Sequence, residues 1–228
     1  MKYIGIAATV VLIIAFIGTP AHAKKAGEVK DSIYYDNDYH YSMEIPNGWS
    51  TNIKNAKYAL RMTMEQKSPV PPYQFQGNLR DYMQIPTMAV IVDTTSLGAA
   101  EFVDSLLSPD FESDQKKFMY KYLKIISRPY ELVKRKEVTF QGQLAVLMEA
   151  RQAYEITVAS GRSDRADVIN DNKYGTIFVT VRGGHVYVIS MICEYRTSQP
   201  ILDMYNAMIS SLKFGQEEGT AEESQKKG

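Results

Sequence analysis

The chain predicts an α+β fold, one domain in which an antiparallel β-sheet lies between helices. Three observations predict it. The stretch 186–195 is apolar on both faces, with Tyr187, Ile189, Met191 and Cys193 on one and Val188, Ser190 and Ile192 on the other. That is the pattern of a central strand covered on both sides. Two glycine-centred turns, Gln141-Gly142-Gln143 and Arg182-Gly183-Gly184-His185, join long apolar runs as hairpins. A closing amphipathic helix carries Ile201, Met204, Tyr205, Met208, Ile209 and Leu212 in one stripe, which needs a surface to cover.

The elements follow in order. Tyr39, Tyr41, Met43 and Ile45 alternate with polar residues, the period of a first strand. Pro46-Asn47-Gly48 ends it as a turn, and Trp49 folds back beneath the sheet as a core plug. A second strand is expected over 56–66. The stretch 67–86 holds Pro69, Pro71 and Pro72, which cannot sit in a central strand, and reads as a long loop. A short buried strand follows at 88–92. Thr95 or Ser96 caps a first helix with Leu97, Ala100, Val103 and Leu106 on one face, and Ser108-Pro109 stops it. A second helix is expected over 112–123, with Phe118 and Tyr122 on one face and Lys116, Lys117 and Lys121 towards another. Strands are expected at 131–140, 144–154, 174–181 and 186–195. Ser198 caps the last helix and Pro200 suits its first turn.

The N-terminus bounds the compartment. Lys2, the apolar run 4–17 and the small residues of Ala21-His22-Ala23 read as a secretory signal peptide, 1–23, cleaved before Lys24. The alternative, a retained anchor, is opposed by an apolar run shorter than the ~20 residues a spanning helix needs. The expected localisation is therefore exported, periplasmic or secreted, with no stable membrane insertion after cleavage. Residues 24–32, with Lys24, Lys25, Glu28, Lys30 and Asp31, read as a flexible lead to a single domain over 33–214. The polar stretch 215–228 reads as a disordered tail. Charge is balanced, 26 Lys+Arg against 26 Asp+Glu, which argues against nucleic acid as a partner. One cysteine makes no intramolecular disulfide, so stability must come from packing.

The ordered elements carry a resemblance. The Pro46-x-Gly48-Trp49 turn after the first strand, Gly142 with Ala145 at the hairpin, Val186-Tyr187 after the glycine turn, and the closing Ser211-Leu212-x-Phe214 resemble the PsbP-like family and its bacterial exported relatives. The family is named for an extrinsic subunit of photosystem II. The resemblance implies an α-β-α sandwich and non-catalytic accessory, assembly or adaptor roles. No catalytic residue or cofactor travels with it, and the stretch 67–86 is not part of its pattern.

Asp36, Asp38 and His40 are the candidate metal ligands, although alternate positions also describe the exposed face of a strand, and no paired-histidine or multi-cysteine zinc spacing accompanies them. Asp164, Asp167, Asn170, Asp171 and Asn172 lack the order of a calcium loop and read as a solvated loop between strands. Cys193 falls inside a central strand and reads as a small apolar residue rather than a nucleophile. Ser113 with Lys116 and Ser210 with Lys213 share a spacing common on any helix. Lys134, Arg135 and Lys136 are split across strand faces. Aromatics remain: Tyr34, Tyr35, Tyr39 and Tyr41 at the first strand, and Tyr73, Phe75 and Tyr82 in the long loop.

The expected function is therefore a non-enzymatic binding or adaptor protein of the bacterial envelope. Its partner is another envelope protein, contacted through Tyr73, Phe75, Tyr82 and Tyr35, with no cofactor. The alternative is a small-ligand or metal-binding periplasmic module, and a hydrolase comes third.

Overall fold

The structure, a computed structural model, describes residues 24–68, 84–109, 112–123, 130–159 and 166–215. The signal peptide expected at 1–23 lies outside them, as do most of the 67–86 loop and the tail after Gly215. Eleven strands among the described residues form two antiparallel sheets. The smaller has the order β1-β2-β3-β11, from Gly27–Lys30, Ile33–Asp36, Tyr41–Glu44 and Lys213–Phe214. The larger has the order β4-β5-β6-β10-β9-β8-β7. Its strands are Trp49–Ile53, Leu60–Gln66, Thr87–Thr94, His185–Glu194, Ala166–Arg182, Gln143–Ala159 and Glu131–Phe140, in that spatial order. The helices are α1 (Ala99–Leu107), α2 (Asp114–Tyr122) and α3 (Ser198–Ser211).

Strand alternation divides the core in two. In β10, Tyr187, Ile189, Met191 and Cys193 enter one apolar cluster with Ile201, Tyr205, Met208, Ile209 and Leu212 of α3 and its C-cap. Val186 and Val188 enter a second cluster with Phe102, Val103 and Leu106 of α1 and Met119 of α2. The first cluster also takes Tyr34, Tyr41 and Met43 from the small sheet, and Trp49, 5% exposed, fills it as the plug expected. The Tyr205 hydroxyl is buried yet satisfied, donating to the Ile189 carbonyl at 2.6 Å. The stripe on α3 therefore covers the sheet face from which the small sheet also excludes water.

Several expectations match closely. The basic triplet lies in β7, whose bounds agree with the expected 131–140. Gly183 and Gly184, both at positive φ (56° and 73°), make the two-residue turn between β9 and β10. Lys134 pairs across to Glu149 at 2.9 Å, while Arg135 reaches Asp104 of α1 at 2.7 Å, so neighbouring basic residues do serve different faces.

Other expectations need correction. The lead 24–32 contains β1, paired to β2 from Gly27↔Asp36 to Lys30↔Ile33, and Ala26 before it is fully buried. A four-residue strand with mostly polar side chains gives no periodic signal, because its backbone pairing, not its side chains, holds it. The polar cluster read as a loop is also strand. Asp167, Asn170, Asp171 and Asn172 pair through their backbones with β8, as in Tyr154↔Asp171, and Asp164 lies outside the described residues. The first helix starts at Ala99 with Gly98 as N-cap, because Glu101 folds back to accept the Gly98 N–H at 3.1 Å. Leu97 therefore stays outside the apolar stripe. Thr197 rather than Ser198 is the N-cap of α3, which begins at Ser198. Lys116 is not on an outer face: it is 4% exposed, and its ammonium donates to the Ser108 carbonyl at the end of α1.

The new strand has a sharp test. A Cβ on Gly27 would lie 2.1 Å from the Tyr35 carbonyl oxygen and 2.7 Å from the Tyr34 ring. Gly27→Ala is expected to cost about 1–3 kcal/mol through overpacking. Urea unfolding measures it, and an unchanged midpoint would return 24–32 to the status of a loose lead.

Candidate functional site

The long connection is anomalous for its position. β5 and β6 are antiparallel neighbours, registered from Leu60↔Ile91 to Glu65↔Thr87. Such neighbours are commonly joined by two to five residues. The Gln66 N–H reaches the Pro86 carbonyl at 3.1 Å, so the two roots of the connection touch and strand pairing does not call for its length. The Lys67 N–H donates to the Gly48 carbonyl at 2.9 Å, tying one root to the Pro46-Asn47-Gly48 turn. The Gln84 N–H donates to the fully buried Glu194 carboxylate at the end of β10, tying the other root to the sheet. Tyr73, Phe75 and Tyr82 lie outside the described residues.

A cavity of about 460 Å³ opens beside these roots, lined in part by Ser50, Asn52, Glu65, Gln84, Lys121 and Ser190. Its floor is low because Thr63, Ala89 and Ser190 stand opposite one another in adjacent strands and all are small. The volume lies in the range of small-molecule sites. Its lining combines hydrogen-bonding groups, with one carboxylate and one ammonium, and an apolar part from Met64, Met88, Met191 and Ile192.

The first-strand candidates resolve into different places. Asp36 closes β2 and is buried, contrary to an exposed strand face. It accepts from Arg61 Nε at 2.8 Å and Arg61 Nη2 at 3.1 Å. It also accepts from the Tyr34 hydroxyl at 2.9 Å and from the backbone N–H groups of Asp38 and Tyr39, both at 3.0 Å. Asp38 accepts from the same Arg61 Nη2 and from Lys24 Nζ, each at 2.6 Å. The hydrogen bond from Lys24, helped by Arg61, holds the Asp38 carboxyl below its usual range. Its contribution to stability is thus present at neutral pH and lost as pH falls through that lowered value.

Arg61 is 1% exposed. Burial alone would depress its guanidinium, and the hydrogen bonds to Asp36 and Asp38 overcome that and hold it above its ordinary value. The two carboxylates therefore enclose an arginine, whose five donors also reach the carbonyls of Ala26, Ala56 and Tyr58. Among the described residues no hydrogen bond joins His40 to the Arg61 cluster, and it lines a small cleft that Asp38 also lines. Among the described residues no group of three or more His, Cys, Asp and Glu is arranged to hold a metal. Tyr35 stands beside the cluster on the outer face of the small sheet, between Glu28 and Ser42, and is 41% exposed.

The nucleophile candidates are engaged in structure. Cys193 is fully buried, and burial, with the Glu194 charge beside it, pushes its thiol up to about 12. Ser113 caps α2, accepting the Lys116 N–H at 3.0 Å, and the Ser210 hydroxyl donates to the Asn206 carbonyl at 2.8 Å. Sequence reasoning missed Arg61, Glu194 and Gln84. Arg61 had a signal, a lone charge between Leu60 and Met62 in an apolar strand. Glu194 had a weaker one, an acid at the end of a strand apolar on both faces.

No family model matches the chain, and no curated protein matches it. Solved structures similar to it include the solution structure of cyanobacterial PsbP from Synechocystis sp. PCC 6803, at 14% identity and TM-score 0.44 over 87% of this chain and 96% of that one. LpqN of Mycobacterium tuberculosis, involved in cell envelope biogenesis, is similar at 13% identity and TM-score 0.43, over 76% and 82%. The Saccharomyces cerevisiae Ran-binding protein Mog1p is similar at 9% identity and TM-score 0.43, over 76% and 89%.

Two measurements follow from the buried groups. Asp36→Asn leaves Arg61 only the partly exposed Asp38, which it shares with Lys24, as a countercharge and is expected to cost about 3–5 kcal/mol. Adding Arg61→Met should recover part of that loss in urea unfolding, and a double variant no more stable than the single one would deny the coupling. For Cys193, the unfolded thiol ionises near its ordinary value of 9.0 while the folded thiol stays protonated to about 12. Its contribution is complete below about pH 9 and then declines by up to ~1.4 kcal/mol per pH unit as pH rises. Buried tyrosines such as Tyr174, whose ordinary value is 10.0, join only above that point. Cys193→Ala should therefore flatten the stability profile between about pH 9 and 10.

Proposed function

We propose that this chain is an exported, non-catalytic binding protein of the bacterial envelope, built as a PsbP-like α-β-α sandwich, that holds another envelope protein. The observation that carries this reading is the β5–β6 connection. Two strands whose ends touch through Gln66 and Pro86 are joined by a stretch far longer than their pairing requires. That stretch concentrates Tyr73, Phe75 and Tyr82 with four prolines, Pro69, Pro71, Pro72 and Pro86. Aromatic side chains bury large areas at little entropic cost, and prolines stiffen the segment that carries them. Roots anchored on Gly48 and on Glu194 at the sheet end give the stretch a firm base. Tyr35 supplies an exposed aromatic on the neighbouring small sheet. The apolar run within 1–23 supports export, and among the described residues no helix is long and apolar enough to cross a membrane.

A second reading, a small-ligand module, is favoured by the cavity of about 460 Å³ at the foot of the same connection. Its mixed lining, polar groups beside Met64, Met88 and Met191, would take a ligand with both hydrogen-bonding and apolar parts.

Tyr73→Ala combined with Phe75→Ala is expected to abolish crosslinked capture of the partner in intact cells and leave the thermal melt unchanged. A lowered melt would assign these aromatics to the core and remove the adaptor reading. Native mass spectrometry of protein from its own host separates the two readings. A protein-sized increment supports the adaptor, and a small increment moves attention to the cavity.

A further inference from the structure

A second, smaller cleft of about 190 Å³ lies at the turn between β9 and β10. Tyr39, His40, Arg182, His185, Phe214 and Gly215 line it, drawn from three distant parts of the chain. Both described histidines meet there. The His185 ring meets Tyr39 edge-on at 5.0 Å, and the Arg182 guanidinium lies 5.0 Å over the Phe214 ring. Stacking presents the guanidinium fork pre-oriented, yet among the described residues no carboxylate pairs with it. The one acid at the rim, Asp38, is neutralised by Lys24 and Arg61. The cleft thus offers a cation, two imidazoles and aromatic walls, and its local chemistry calls for a carboxylate.

The sequence carries carboxylates immediately after the last residue of this cleft. Gly215 is pinned at the cleft, its N–H donating to the His40 carbonyl at 2.6 Å. The approach is so close that a Cβ there would lie 2.8 Å from that oxygen. The sequence continues Gln216-Glu217-Glu218, with Glu222 and Glu223 beyond. Two or three extended residues span about 7–10 Å, which is the reach of Glu217 and Glu218 from Gly215, and Gly215 lines the same cleft as Arg182. We propose that this cleft is a carboxylate-binding site and that its occupant is the chain's own acidic segment, through Glu217 and Glu218. Tethering makes the encounter intramolecular, at a millimolar effective concentration. The pair is solvent-accessible, so the docked state is reversible and weakened by salt.

NMR spectra of the isotope-labelled protein test this through the Arg182 Nε–H and the Gly183 and Gly184 amides. Glu217→Gln with Glu218→Gln should shift these resonances. About 1 M salt should move the wild type the same way. In a chain carrying Arg182→Ala the double substitution should no longer move the glycine amides. Resonances that stay in place in the double variant overturn the proposal, and so does an equal shift with and without Arg182. A response only to added polyglutamate peptide would make the occupant external and overturn it as well.

Discussion

The packing of one sheet on the other depends on a single buried guanidinium. Arg61 sits at the bulge where β5 changes register against β6, between Leu60↔Ile91 and Met62↔Val90. A bulge inserts an unpaired residue and re-aims its side chain. Here it sends a charged group among buried partners. That is costly unless every donor is met, because a buried ion loses several kcal/mol of hydration. The partners come from Ala26, Asp36, Asp38, Ala56 and Tyr58, so the arginine is satisfied only when β1, β2 and the turn before β5 are all in place. The backbone adds to it: the Ala26 N–H meets the Lys54 carbonyl, and the Ala56 N–H meets the Lys24 carbonyl, at 2.9 and 2.8 Å. The apolar cluster beneath could tolerate small slips of one sheet over the other. The arginine cannot, and it gives the interface its register.

This arrangement separates the packed strands from the two ends of the central strand β10. Strands β6, β10 and β9 are packed on both faces and have little freedom. The aromatic connection leaves from the end of β5, the cavity lies beside its roots, and the small cleft lies at the opposite end of β10, by His185. The cavity and the cleft are set by paired strands and are lined in part by side chains outside the two apolar clusters. The two ends of one central strand thus anchor both: Glu194 holds a root of the connection, and His185 lines the cleft.

Legibility followed locality. The basic triplet did not hide β7, because its pairing partner follows within one hairpin. The stripe on α3 was readable because Ile201, Tyr205, Met208 and Ile209 recur at helical spacing whatever they cover. β1 was not readable, since Gly27–Lys30 is held by pairing to β2 and by room made for Gly27 against Tyr34 and Tyr35. The far half of the β8–β9 ribbon was hidden for a related reason. The composition of Asp167 to Asn172 resembles a loop, while the backbone hydrogen bonds that make it strand are indifferent to side-chain polarity. Lys116 misled because a lysine on a helix is ordinarily solvated, and only the neighbouring end of α1 supplies the carbonyl that draws it inward.

The residues alone determined the antiparallel strands, the glycine hairpins, the closing helix, the buried thiol and the PsbP-like resemblance. Each rests on a period of two or on a 3.6-residue turn, on turn chemistry, or on a few adjacent positions. Tertiary structure decided that Asp36 and Asp38 hold an arginine, that Glu194 anchors the long connection, and that His40, Arg182 and Phe214 meet in one cleft. The reason is one of range. Periodicity is written into neighbouring residues, whereas the environment of a charge depends on which distant segments the folded chain returns to it.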